Sequence, residues 1–150
     1  MKKHRAIIFI VILLLITGVM AFVHFNTREE VPEGAIEVIV GEEVQIVDIT
    51  KLSYEKVEGT RVNGKGEEIF VEASGILLKN VLEKAGIEEY MNVSVVADDA
   101  YSAEISAEEV NDDTKAYLIQ AEEDVRLRLI VFGDKDSKRS VSNVAQIIVE

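Results

Sequence analysis

The chain has no cysteine, no tryptophan, one proline and two histidines. Without cysteine there is no thiolate nucleophile, no thiolate metal site and no disulfide. Small exported domains often offset small cores with disulfides, so this chain must rely on packing. Both histidines, His4 and His24, flank an apolar run near the N-terminus, and the rest of the chain has none. That removes nucleophile–base dyads built on histidine or cysteine, together with the usual nitrogen and sulfur ligands of zinc. The lack of tryptophan, with four tyrosines in all, leaves few aromatic platforms for a glycoside-cleaving cleft. Positive charge is scarce as well. Sixteen Lys and Arg face 28 Asp and Glu, for a net charge of −12. Setting aside Lys2, Lys3 and Arg5 leaves 13 against 28, or −15 for the remainder. Such a surface repels nucleic-acid phosphates and anionic headgroups and suits cations or basic partners, so nucleic acid is not an expected partner.

Apolar residues are concentrated at the N-terminus. Residues 6–23 (AIIFIVILLLITGVMAFV) run 18 long without a charge. That is within the roughly 17–25 helical residues that span a bilayer core. Bases precede the run and Arg28-Glu29-Glu30 follow it. The positive-inside bias therefore predicts a cytoplasmic N-terminus and an external C-terminal domain. The segment is expected to be a single-pass membrane anchor. The competing expectation is a signal peptide cleaved near Ala21, after the small-x-small sequence Val19-Met20-Ala21. Residues 26–34, which hold Pro32, read as a linker, and 35–150 as one exported domain large enough for its own core.

Alternating runs predict strands at residues 35–40 and 44–48, with a helical turn capped by Asp48 over 49–52. Residues 54–62 and 68–73 flank Asn63-Gly64-Lys65-Gly66, which predicts a hairpin with positive φ at the Asn-Gly pair. Ser74-Gly75 is expected to end the second strand. Apolar residues at 77, 78, 81, 82 and 85 predict a helix over 76–85, stopped by Gly86. Further strands are expected at 93–97, 101–105, 116–121, 127–132 and 144–149, with a capping box at Ser106 and Glu109 starting a short helix. This order predicts an α+β domain: strand-rich mixed sheets with one main helix.

Carboxylates cluster at Asp98-Asp99, at Asp112-Asp113 and in the 134–139 loop. That loop lacks the glycine and distal glutamate of a calcium site and carries Lys135, Lys138 and Arg139, so it reads as a solvated turn and no metal is expected. Gly64-Lys65-Gly66 is too short for a phosphate loop and precedes no helix. Asn92-Val93-Ser94 matches a glycosylation sequon by chance, at the start of a strand that reads as buried.

Three stretches in order resemble the molybdopterin-binding domain of the sulfite-oxidase family. They are residues 74–86 (SGILLKNVLEKAG), 95–102 (VVADDAYS) and 126–133 (RLRLIVFG), the last followed by Val141 and a closing strand over 143–149. Together they cover roughly 54–150. The resemblance implies that family's fold and a ligand pocket near Asp98, Asp99, Tyr101, Ser102 and Arg128. The chain departs from the family where the family's chemistry resides. It has no cysteine to ligate molybdenum, a centre suited to soft thiolate. It has no domain histidine, and Ala100 stands where the family has glycine. No catalytic residue and no cofactor is therefore expected, and molybdopterin only if the family function is retained. The expected function is a non-catalytic module that binds a small molecule, a peptide or a redox partner protein. The alternatives are a structural envelope-assembly domain and an atypical molybdopterin-dependent oxidoreductase.

Overall fold

A computed structural model describes residues 10–19, 32–120 and 126–150. The chain divides into two compact units, residues 1–30 and 31–150. In the first, residues 10–19 form a helix, α1. The Thr17 hydroxyl donates within it to the carbonyls of Leu13 and Leu14, both at 3.0 Å, so its polar group needs no water. Among the described residues no helix is long and apolar enough to cross a membrane. The basic head, the start and end of the 6–23 run, the cleavage sequence beyond Val19 and most of the linker lie outside the described residues.

The second unit is an α+β domain with two sheets. The first has the order β2 (Glu43–Asp48), β1 (Ala35–Val40), β9 (Val144–Val149), β5 (Asn92–Ala97), β6 (Ser102–Ser106). It is mixed, since β1 and β9 run parallel and the other pairs antiparallel. The second sheet is antiparallel, with the order β3 (Glu55–Val62), β4 (Glu68–Leu77), β7 (Ala116–Gln120), β8 (Leu127–Val131). Helix α2 (Leu78–Lys84) follows β4, and one turn of helix, α3 (Ala107–Val110), follows β6.

One contiguous apolar cluster draws on the inner faces of both sheets and on α2. Leu78, Val81 and Leu82 are fully buried there. At roughly 1.5–3 kcal/mol for each buried large aliphatic side chain, this burial outweighs the weak propensity of a seven-residue helix. Val141, three residues before β9, forms an isolated bridge to β8: its carbonyl accepts from Leu129 N (2.8 Å) and its N–H donates back to Leu129 O (3.3 Å).

Local signals hold at most element ends. Asp48 caps the 3-10 turn Ile49–Lys51 by accepting from Thr50 N at 3.0 Å. The capping box at Ser106 and Glu109 is complete. Gly86 (φ +76) closes α2 in a Schellman motif: Ile87 N donates to Leu82 O (3.0 Å) and Gly86 N to Glu83 O (2.9 Å). Two expectations fail. Ser74-Gly75 does not end β4, which runs on to Leu77 and leaves the helix only Leu78–Lys84. A Cβ at Gly75 would lie 3.0 Å from Val57 and Ile119 side-chain carbons and 3.1 Å from Leu118 O, so the glycine permits close strand packing where it looked like a break. The hairpin forms as expected, but its positive φ falls on Gly66 (φ +83), not on Asn63-Gly64. Gly66 N donates to Asn63 O (3.0 Å), and Asn63 Oδ1 accepts from Lys65 N (2.9 Å) and Glu67 N (3.0 Å). A type I turn with a glycine bulge wins because the Asn63 side chain caps it locally.

The antiparallel sheet also has an outer face. Register places Val57, Gly59 and Arg61 of β3 on the same side as Gly75 of β4, Tyr117 and Ile119 of β7, and Arg128 and Ile130 of β8. Val57, Ile119 and Ile130 are buried yet stand outside the main cluster. The β3–β4 hairpin therefore coils over this face and covers a second, smaller core. A Cβ at Gly59 would come within 2.5 Å of the Phe132 ring, so only a glycine lets β3 approach there. Phe132 in turn meets Tyr117 edge-to-face, with centroids 5.7 Å apart.

Candidate binding site

Four of the five candidate residues lie on the β5–β6 turn. Ala97 N donates to Tyr101 O (2.8 Å) and Ala100 N to Ala97 O (3.1 Å). This turn requires a left-handed residue at Ala100 (φ +69). Alanine in place of the glycine of the resembled family costs about 1–2 kcal/mol there. Asp99 Oδ1 accepts from Tyr101 N at 3.0 Å, an Asx turn within the loop. Asp98 forms an ion pair with Arg126, and its N–H donates to Asn143 O at 3.1 Å. The Tyr101 hydroxyl donates to Lys138 O, while the residue stays 48% exposed. Ser102 is exposed at the start of β6. The polar atoms of this turn are thus largely occupied in tying it to Arg126 and to the 133–140 loop.

Arg128 is not joined to them. Among the described residues no hydrogen bond or ion pair links it to the 98–102 turn. It sits half-buried in β8, paired in register with Ile119 on the outer face of the other sheet.

Two arginines that sequence reasoning did not single out complete the picture. Arg139 spans two carboxylates. Its Nη1 and Nη2 donate to Glu109 Oε2 and Oε1, both at 2.8 Å, and its Nε donates to Asp134 Oδ2 at 2.9 Å. Arg139 lowers the Glu109 pKa from 4.5 to about 2, helped by the Ser106 backbone and hydroxyl and opposed by burial. The two carboxylates hold the Arg139 pKa above its ordinary value. The 134–139 loop is thus pinned to the start of α3 and is more than a solvated turn. The capping box disclosed Glu109, but nothing local to the sequence pointed to a partner 30 residues away.

Arg61 behaves in the opposite way. It lies half-buried in β3, opposite Ile69, and its buried Nε has no hydrogen-bond partner. Burial lowers its pKa, and the nearby charge of Arg128 lowers it further. Neither Arg61 nor Arg128 has a carboxylate ion pair among the described residues.

Other features are modest. A cleft of about 140 Å³ beside β2 is lined by Gln45, Ile46, Val47, Asp48, Lys51, Lys84 and Ala85, well below the roughly 300 Å³ at which small-molecule pockets begin. Among the described residues no group of three or more His, Cys, Asp or Glu is placed to hold a metal ion. No protein-family model matches the chain, and no curated protein matches it. A molybdenum centre does not fit the donor set: the 98–102 turn offers only oxygens, several of them bonded within the protein, and the chain contains no thiolate.

Proposed function

We propose that this chain is a non-catalytic binding module on a sulfite-oxidase-type scaffold, held outside the membrane by its N-terminal apolar segment. One observation carries the reading. Both carboxylate oxygens of Glu109 accept from the Arg139 fork at 2.8 Å, and this pairing pushes its pKa down to about 2. A proton-transfer carboxylate working near neutral pH needs the opposite displacement. With no histidine or cysteine beyond residue 24, the domain has few other groups for acid–base or nucleophilic work. What it offers instead is recognition chemistry, namely a half-exposed Tyr101 and a pair of arginines without acids.

The test uses the full chain, purified from a host that makes molybdenum cofactor. Elemental analysis and pterin fluorescence are expected to show neither molybdenum nor pterin. Stoichiometric pterin overturns the reading in favour of an atypical oxidoreductase. In the native host, protease added to intact cells is expected to remove the domain, and the mass of the purified chain to show that the apolar segment 6–23 is retained. A mass corresponding to cleavage near Ala21 replaces the anchor with a signal peptide and leaves the binding module in place.

A further inference from the structure

The two edge strands of the antiparallel sheet, β3 and β8, come together on its outer face because the β3–β4 hairpin coils. Gly59 resting on Phe132 marks the contact. Arg61 and Arg128 stand on this same face. The placement is unusual for this chain. Acids outnumber bases 28 to 16, yet two neighbouring arginines have no carboxylate ion pair among the described residues. Arg126 and Arg139 each have at least one. Leaving like charges together with a buried, unbonded N–H costs free energy on both counts. Costs of this kind, held in place by the surrounding structure, cluster at ligand clamps and other functional sites.

We propose that Arg61 and Arg128 form a binding site for the carboxylate of a small organic acid with an apolar tail. Two features select this ligand class. Guanidinium groups present fixed N–H forks that match a carboxylate. The surroundings are apolar: Ile69, opposite Arg61 in register, and Phe132 are half-buried on this side, above the buried Ile119 and Ile130. A hydrated phosphate dianion gains less from such a lining and meets the stronger repulsion of a domain in which, over residues 35–150, 12 Lys and Arg face 25 Asp and Glu, a net −13. The site is separate from the 98–102 turn. The proposal rests on the binding-module reading only in taking the site's use to be recognition and not catalysis.

Butyrate is the probe, with acetate, phosphate and chloride at matched ionic strength as comparison arms. The full chain in detergent is titrated while the arginine Nε–Hε resonances are followed by NMR and the melting temperature is recorded. Butyrate is expected to shift the Arg61 Nε–Hε resonance saturably and to raise the melting temperature. Acetate should do so more weakly, and chloride not at all. Arg61→Gln and Arg128→Gln are each expected to weaken butyrate binding about tenfold, equivalent to ~1.4 kcal/mol. Without anion both variants should melt at or above the wild-type temperature, because each removes the like-charge contact. Melting no lower than wild type shows that they fold, and a purely structural role for the arginines predicts a loss. Three results overturn the proposal: no saturable shift, equal responses to butyrate and chloride, or a butyrate response unchanged in Arg128→Gln. Tighter binding of phosphate than of butyrate overturns the ligand class. None of these outcomes touches the pterin analysis, so the two readings fail separately.

Discussion

Arg139 and Arg61 are the same residue type in comparable half-buried positions, and they live opposite lives. Arg139 spends its donors on Glu109 and Asp134, fastening the 133–140 loop to the start of α3. Arg61 has the charge of Arg128 nearby and leaves its Nε without an acceptor. The first arrangement is complete within the chain and reads as structural. The second is incomplete and points outward. In a domain this acidic, a missing acid says more than a present one, because carboxylates are available nearly everywhere.

Four predictions probe that contrast. The largest effect is expected from Arg139→Ala, which strands two partly buried carboxylates. Breaking charge-assisted hydrogen bonds of this kind costs roughly 2–4 kcal/mol, measurable by urea denaturation. A loss below ~0.5 kcal/mol would erase the distinction between the two arginines. The pH dependence should follow the same bond. The folded-state pKa of Glu109 lies below its ordinary value of 4.5, at about 2. Its contribution is therefore full above pH 4.5 and is lost as pH falls through about 2. Stability curves of wild type and Arg139→Ala should converge across that interval; parallel curves would mean that Glu109 is not held down by Arg139.

Gly59→Ala comes next. A Cβ placed 2.5 Å from the Phe132 ring must move the ring or lift the hairpin. Overpacking of this sort costs about 1–3 kcal/mol, and hydrogen exchange should rise in β3 and β4 ahead of the five-stranded sheet. If the hairpin lifts, Arg61 leaves Arg128 and the butyrate response disappears with it. An unchanged response would separate the arginines from the coiling that is held to unite them. The smallest effect is expected from Asp98→Asn, which removes a half-exposed ion pair to Arg126 worth ~0–1 kcal/mol. A larger loss in melting experiments would give the β5–β6 turn a structural weight its exposure does not suggest.

Much of the fold was legible residue by residue. Strand positions followed from alternation, α2 from its apolar face and from Gly86, and the helix starts from Asp48 and from Ser106 with Glu109. The errors share a cause. Gly75 and Asn63-Gly64 were read by local propensity, which cannot register that Gly75 lies beneath Val57 and Ile119 or that the Asn63 side chain caps its own turn. The candidate site divided along the same line. Asp98, Asp99, Tyr101 and Ser102 are consecutive or nearly so and remained together. Arg128 was grouped with them by motif order, but the structure pairs it with Ile119 and places it near Arg61.

The chemical inventory of this protein was determined by the sequence alone: an acidic chain with no cysteine, no histidine beyond residue 24, and local signals sufficient for its turns, caps and strands. Those properties depend on composition and on residues within about four positions of one another, the range over which backbone hydrogen bonds and side-chain caps act. Only the tertiary structure decided which charges meet. Arg139 reaches Glu109 across 30 residues, and Arg61 stands by Arg128 because strand register and a coiled hairpin put them on one face. Register is set by the packing of whole faces, a collective property that no short window of residues contains.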